Sequence, residues 1–152
     1  MSLFDDIQAF QIEALTAISD STDNIVKDLF SQAVALSPTP TQGMATSGAF
    51  SRGELINQWY PNSGSTPSSE VGTALSDNGA DSLSRINEIV AENLFYGRDN
   101  IVNLANNTDQ AYYADVLGWP KGTVSASGGV WKGHAPYAMS SNSVNYILGK
   151  YT

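Results

Sequence analysis

Residues 3–35 read LFDDIQAFQIEALTAISDSTDNIVKDLFSQAVA, and this stretch decides how the fold begins. Neither Pro nor Gly interrupts it, and the side chains that share its apolar face recur at steps of three or four, the spacing of an α-helix. Ser19 to Asn24 are poor helix formers, so the pattern leaves a break or kink open there. The prolines and the Gly of SPTPTQG, residues 37–43, end the helix. The predicted helical face consists of Phe4, Ile7, Phe10, Ala14, Ile18, Thr22, Ile25, Leu29 and Ala33.

A strand, a second helix and another strand are predicted after this helix. Residues 46–62 mix aromatic and branched residues with polar ones, which favours a half-buried strand. A Ser- and Gly-rich loop separates this strand from a second helix, which Gly97 ends. Asn100 to Leu104 then predict a short strand that ends at Asn106-Asn107. The stripe of the second helix is Leu83, Ile86, Val90 and Leu94.

The order of these elements predicts an α+β fold, because helices and strands segregate without a βαβ rhythm. We expect a long N-terminal helix and a second helix packed on a small antiparallel β-sheet. The chain of 152 residues predicts one domain. It divides into an N-terminal helical region, 1–36, an α+β core, 37–118, and a Gly/Ser-rich C-terminal extension, 119–152. Near its end, SSNSVNYILGKY suits either a short helix or a strand.

The charge and the hydropathy of the sequence disfavour several classes of function. The net charge of −8 disfavours a general binder of nucleic acid or of an anionic membrane, since both need clustered Lys and Arg. Residues 1–100 hold 13 acids and 4 bases, a charge of −9, whereas residues 101–152 hold 2 acids and 3 bases, a charge of +1. The first residues lack the basic region of a signal peptide, and no apolar run has the length of a membrane span. These features predict a soluble protein made in the cytosol.

The residues that carry most chemistry are scarce. With no Cys and a single histidine, His134, the sequence offers neither a thiolate site nor a multi-histidine metal site. DNGADSLSRINE, residues 77–88, places acids as a calcium loop does, but Ser82 stands where the loop needs Gly and Gly79 stands at a ligand position. We therefore predict no enzyme activity, no metal and no cofactor. A small hydrolase that uses His134, or a small binding domain, remains the less favoured alternative.

Three segments, taken in order, resemble one family. They are SPTPTQGMATSGAFSRGELINQW (37–59), DNIVNLANNTDQAYYADVLGWP (99–120) and HAPYAM (134–139), and they follow a long N-terminal helix. This order resembles that of the neck, or tail-completion, proteins of tailed bacteriophages and prophages, over residues 3–140. In that family a segment of the form tPvdtG-x-hR-x-x-W leads to a helix and a strand. The motifs N-x-hpYA-x-x-hE-x-G-W-S and AP-x-GM come next.

This chain departs from the family pattern at several points. Extra residues separate Pro40 from Trp59, and Asp115 stands near the usual acid. Pro120 takes the place of a common Ser, and Tyr137-Ala138 replaces the small Gly before Met139. No single motif here is specific. The resemblance rests on their shared order.

The resemblance implies a non-enzymatic subunit of the virion. The chain would form a homo-oligomeric ring at the head–tail junction, between the portal or adaptor protein and the tail tube or terminator proteins. Genomic DNA would pass nearby without specific binding, and no membrane would be involved. The chain would be made in the bacterial host cytoplasm and end in the virion. Another virion structural protein, such as a minor capsid or tail-terminator subunit, is the alternative.

The resemblance also implies that the aromatic stretch AYYADVLGW, residues 111–119, forms a structural turn and not a ligand pocket. A helical turn would lead off the preceding strand, and Gly118 would let the chain reverse. Large aromatic side chains are enriched both in cores and at subunit interfaces. The candidate packing or interface anchors are Trp59, Tyr112, Tyr113, Trp119 and Tyr137.

Overall fold

The computed structural model describes residues 3–38, 54–63, 78–91, 102–108, 111–118 and 135–152. Helix α1 spans Leu3–Leu36, and a single turn, α2, spans Glu54–Asn57. Strand β1, Trp59–Ser63, comes next, followed by helix α3, Ala80–Ala91, and strand β2, Val102–Asn106. A π-helical turn, Tyr113–Leu117, and helix α4, Met139–Tyr151, complete the described part. The α+β prediction, with its long N-terminal helix and small antiparallel sheet, is confirmed.

Helix α1 continues without a break through Ser19–Asn24. Two hydroxyl groups in this poor helix-forming patch bond to the helix itself: Ser21 Oγ donates to the carbonyl of Ala17 and Thr22 Oγ1 to that of Ile18. Such bonds satisfy the hydroxyls without ending the helix. The helix ends at Leu36, just before the prolines.

The prediction for residues 46–62 is partly wrong. Trp59 to Asn62 do lie in strand β1, but Glu54–Asn57 form the helical turn α2, and residues 46–53 lie outside the described part. β1 pairs with β2 in antiparallel register, from Trp59 opposite Asn106 to Ser63 opposite Val102. Pro61 fits because β1 has β2 on one side and no strand on the other among the described residues.

Helix α3 covers the predicted stripe as far as residue 91, and Ile86 on that stripe is fully buried. Asn78 Oδ1 accepts a hydrogen bond from the backbone N–H of Ala80, and the carbonyl of Gly79 accepts the first helical bond, from Leu83. These contacts fix the start of the helix. The predicted stop at Gly97 lies outside the described residues.

The last segment forms helix α4, which settles the choice between helix and strand. It runs antiparallel to the second half of α1: Met139, at its start, touches Ser37, and Lys150, at its end, touches Asp28. One cluster of buried side chains joins these helices to β1 and the π-helical turn. Its members are Phe30, Ala33, Val34, Leu55, Ile56, Trp59, Ile86, Ala114 and Met139.

Candidate interaction surfaces

Among the described residues, no group of three or more His, Asp or Glu side chains lies close enough together to hold a metal ion. Two acids of the calcium-like sequence, Asp81 and Glu88, lie along helix α3 and do not line a loop. His134 and Asp77 fall outside the described residues. Within the same limits, none of the helices combines the length and the apolar character that crossing a membrane requires.

Trp59 lies at the centre of the core with 6% of its surface exposed. Its indole Nε1 donates a 2.8 Å hydrogen bond to Ser37 Oγ, and that hydroxyl in turn donates to the carbonyl of Ala33. The sulfur of Met139 lies 3.2 Å from the same oxygen. Ser37 thus joins the end of α1, the start of β1 and the start of α4 through one buried hydroxyl. The structure places this candidate anchor inside the fold.

The turn α2 is held by side chains from distant parts of the chain. Asn106 Nδ2 donates to the carbonyl of Leu55, and Ser82 Oγ donates to the carbonyl of Ile56. Arg85 Nη1 donates to the carbonyl of Asn57, at 2.7 Å. Because the last carbonyls of a helix have no partner within it, these three donors allow a helix of a single turn to persist. The guanidinium of Arg85 also stacks over the ring of Tyr60.

The segment 111–118 forms the helical turn expected from the resemblance. The backbone N–H of Gly118 donates to the carbonyl of Tyr113, closing a π-type turn, and Gly118 itself has a φ of 72°. Ala114 is fully buried, whereas Tyr112 and Tyr113 are 59% and 46% exposed. Both tyrosines therefore lie on the surface, with their rings edge to face. Trp119 lies outside the described residues.

The same turn anchors the start of α4. Its Asp115 accepts hydrogen bonds from the backbone N–H and the hydroxyl of Ser140, and the carbonyl of Ala114 accepts from the N–H of Tyr137. A carboxylate at a helix N-terminus satisfies free N–H groups and interacts well with the helix dipole. Tyr137 is half-buried against the core, and this burial raises the pKa of its hydroxyl. Of the five candidate anchors, Trp59 and Tyr137 therefore contribute to internal packing.

Ala138, between Tyr137 and α4, adopts a left-handed backbone conformation with φ of 50°. This region is unfavourable for residues with a Cβ atom and is readily adopted by Gly. The backbone conformation at Ala138 is thus one that Gly would adopt at lower steric cost.

An open cleft of about 290 Å³ lies between β2, the π-helical turn and α4. Among its described lining residues Asp115 is the one carboxylate, and it is already bonded to Ser140. The cleft brings together two of the candidate anchors, Trp59 and Tyr112. Its other apolar lining residues are Leu104, Ala111, Val116 and Met139.

A large group of exposed apolar side chains lies on the first half of α1. Six large apolar side chains there are between 48% and 70% exposed; four of them belong to the predicted helical face, and Ile12 and Leu15 do not. Contiguous exposed apolar surface of this kind marks interaction sites in soluble proteins. Together these residues form the α1 surface, which consists of Phe4, Ile7, Phe10, Ile12, Leu15 and Ile18.

One acid is buried on α1 where this surface ends. Asp23 is 7% exposed, and its Oδ1 finds no hydrogen-bond partner among the residues that the structure describes. Burial, and to a smaller extent the charge of Asp20, raises the pKa of its carboxyl group. A buried carboxylate without a full set of partners lowers stability. A single acid of this kind does not form a catalytic arrangement.

Compared with known proteins, the chain matches no family model, no curated protein and no solved structure. The arguments for function therefore rest on the sequence motifs and on the surfaces described above.

Proposed function

We propose that this protein is a non-enzymatic structural subunit of a tailed-bacteriophage virion. It forms part of a ring at the head–tail junction, between the portal or its adaptor and the tail. The observation that carries the proposal is the α1 surface: six large apolar side chains stand in water in the single chain. A subunit that covers this surface by contact with neighbours explains why such residues are present.

The order of the sequence motifs is the reason for proposing the head–tail junction in particular. The segment DNIVNLANNTDQAYYADVLGWP contains strand β2 and the π-helical turn, and HAPYAM leads into α4. Hydrogen bonds from Tyr137 and Ser140 to the π-helical turn join these two motifs in space. Motifs that are separate in sequence and adjacent in the fold support a shared structural role.

The negative charge of the chain is compatible with a position in the wall of a channel that DNA passes through. Residues 1–26 hold five acids and no base, so this part of the protein repels phosphate groups. A channel that lets the genome pass must not bind it, because each Lys or Arg on a phosphate adds affinity. Solubility alone accounts for the same charge, so this observation is secondary.

A complementation experiment tests the proposal. A stop codon is placed early in the gene of the phage or prophage that encodes this chain, and the lysate is examined by electron microscopy. We expect DNA-filled heads and separate tails, with plaque formation restored when the intact chain is supplied from a plasmid. Normal joined virions from the mutant would contradict the proposal, and a defect in the head shell alone would favour a minor capsid role.

A further inference from the structure

The open cleft between β2, the π-helical turn and α4 combines apolar walls with a carboxylate. Leu104, Val116 and Met139 contribute to its apolar walls, and Tyr112 adds an aromatic ring that is largely exposed. Its volume of about 290 Å³ lies at the lower limit for pockets that enclose small-molecule ligands, which measure roughly 300–1,000 Å³. The cleft therefore has the size to receive one long side chain of a partner.

Asp115 brings to this cleft a negative charge that no base of the described residues pairs with. Its Oδ1 accepts a hydrogen bond from the backbone N–H of Ser140 at 3.0 Å, and its Oδ2 accepts one from the hydroxyl of the same residue. Both donors are neutral groups. The ion pair between Lys150 and Asp28 lies at the other end of α4. Because a carboxylate can accept about four hydrogen bonds, Asp115 can take further donors on both oxygens.

Exposed apolar side chains surround the mouth of the cleft. On the π-helical turn, more than half of the surface of Val116 and of Leu117 is exposed. On α4, Val144 and Leu148 follow Ser140 at steps of four, so the three residues share one face of the helix, and both apolar side chains are exposed. Since Ser140 is bonded to the π-helical turn, this apolar strip begins at the cleft. Apolar surface around a polar contact is typical of protein–protein interfaces.

An arginine side chain matches both the walls and the charge. Its apolar stem can pack along apolar walls while the charged head stays near water. The planar guanidinium donates in a fork to both oxygens of a carboxylate and stacks on aromatic faces, which a compact ammonium group does less well. The chain already contains one such stack, in which the guanidinium of Arg85 lies 4.2 Å from the centre of the Tyr60 ring. A phosphate-bearing partner is disfavoured, because the carboxylate would repel it.

We infer that this cleft is the docking site for an arginine side chain of a partner protein. The guanidinium binds Asp115 beside the ring of Tyr112, and the stem packs on Leu104, Val116 and Met139. Apolar residues that flank the arginine in the partner cover the exposed rim. The cleft shares no residue with the α1 surface, so this inference goes beyond the proposed function and is tested independently of it.

Disulfide tethering tests the site on the full chain, because an introduced cysteine is the single thiol of a chain without Cys. Val116→Cys places this thiol at the rim of the cleft. Ala9→Cys places it on an exposed part of α1, within four positions of Asp5, Asp6 and Glu13, and is the matched control. Each variant is equilibrated with equal amounts of the disulfides of mercaptoethylguanidine and of its neutral analogue mercaptoethylurea. Intact-mass spectrometry then gives the ratio of the two conjugates.

We expect Val116→Cys to favour the guanidinium conjugate by more than about fivefold relative to Ala9→Cys, the effect of one ion pair at a partly exposed site. General attraction of a cation to acids acts at both cysteines, and more strongly at Ala9→Cys. The added substitution Asp115→Asn should abolish the preference, because it removes the charge and keeps an oxygen for the N–H of Ser140. The added substitution Ser140→Ala should leave the preference in place, because the charge remains. Circular dichroism should show the same helix content in every variant.

Equal preferences at Val116→Cys and Ala9→Cys would overturn the inference. An equal loss with Ser140→Ala and with Asp115→Asn would also overturn it, because the position of α4 and not the charge would then be decisive.

A titration followed by two-dimensional amide NMR identifies the source of the cation. The capped tripeptide Leu-Arg-Leu should shift the signals of Leu104, Val116 and Ser140 until they saturate. Its counterpart with citrulline in place of arginine should bind at least about fivefold more weakly. Spermidine that binds these residues more tightly than the tripeptide would indicate a free polyamine and overturn the assignment to a partner protein. A tripeptide that causes no saturable shifts at the cleft would overturn it as well.

Discussion

The indole Nε1 of Trp59 lies 2.8 Å from Oγ of Ser37 and donates a hydrogen bond to it inside the core. These residues are 22 positions apart, and their contact fixes the end of α1 against the start of β1. Ser37 Oγ also contacts Met139, the first residue of α4. One hydroxyl group therefore holds α1, β1 and α4 together. The stability of the fold should therefore depend strongly on Trp59.

The first prediction concerns Trp59. Trp59→Ala should lower the free energy of unfolding by about 3–5 kcal/mol, because it leaves a cavity in the core. Trp59→Phe should cost about 1–2 kcal/mol, since it keeps an aromatic ring, although a smaller one, and removes the bond to Ser37. Chemical denaturation measures both values. Tyr112→Ala is the control, because its ring is exposed, and a loss as large as that of Trp59→Ala would show that the core is misassigned.

The second prediction compares two glycines. A Cβ atom on Gly79 would lie 2.6 Å from Val34 Cγ1 and 2.9 Å from Ile56 Cγ1, and its φ of +74° disfavours any other residue. Gly79→Ala should therefore lower the melting temperature. Gly149→Ala, in α4, meets nothing within 4 Å and should raise stability by up to about 1 kcal/mol, because Ala favours a helix. Equal effects of the two substitutions on thermal melts would refute this account of Gly79.

The third prediction concerns Ala138, whose φ is 50°. Replacing it by Gly should stabilise the protein by up to about 1 kcal/mol, because Gly adopts the left-handed region without steric cost. The gain is reduced by the greater freedom of Gly in the unfolded chain. Ala135→Gly, at an exposed position just upstream, is the control and should give no gain. A fall in melting temperature for Ala138→Gly would contradict the prediction.

The sequence predicted the elements whose determinants are local. The stripe through Leu83 and Ile86 and the strand before Asn106 both follow from neighbouring residues. The turn α2 was predicted as strand because its determinants are distant: its carbonyls are satisfied by Ser82, Arg85 and Asn106.

The hydrophobic periodicity of α1 also does not predict that its first half is exposed. The spacing of Phe4, Ile7 and Ile18 correctly indicates an amphipathic helix, but it does not state what the apolar face contacts. In the single chain these side chains are exposed to solvent. The exposure of Tyr112 and the burial of Trp59 likewise depend on packing between elements that are distant in sequence.

The fourth prediction concerns pH. Asp28 Oδ2 accepts hydrogen bonds from Lys150 Nζ and from the hydroxyl of Tyr151, and these bonds lower the pKa of the Asp28 carboxyl group. A carboxyl group with a lowered pKa in the folded state stabilises the protein above its unfolded pKa of about 3.9, and this contribution is lost as the pH falls through the folded value.

Asp28→Asn should therefore melt at a slightly lower temperature than the native chain at pH 7, and the difference should vanish in acid below that range. The effect should be small and should decrease with salt, because the pair is exposed. Glu13→Gln, on the exposed acidic side of α1, serves as the control for charge alone. A difference that persists unchanged at low pH would contradict the role of Asp28.

The proposed place of this chain at a head–tail junction is the central claim, and locating the chain in a particle tests it most directly. The measurement is a cryo-electron microscopy reconstruction of the head–tail junction of a phage whose genome carries this sequence. We predict density for a closed ring of this fold between portal or adaptor and tail. Finding the chain elsewhere in the particle, or absent from purified virions, would contradict the account.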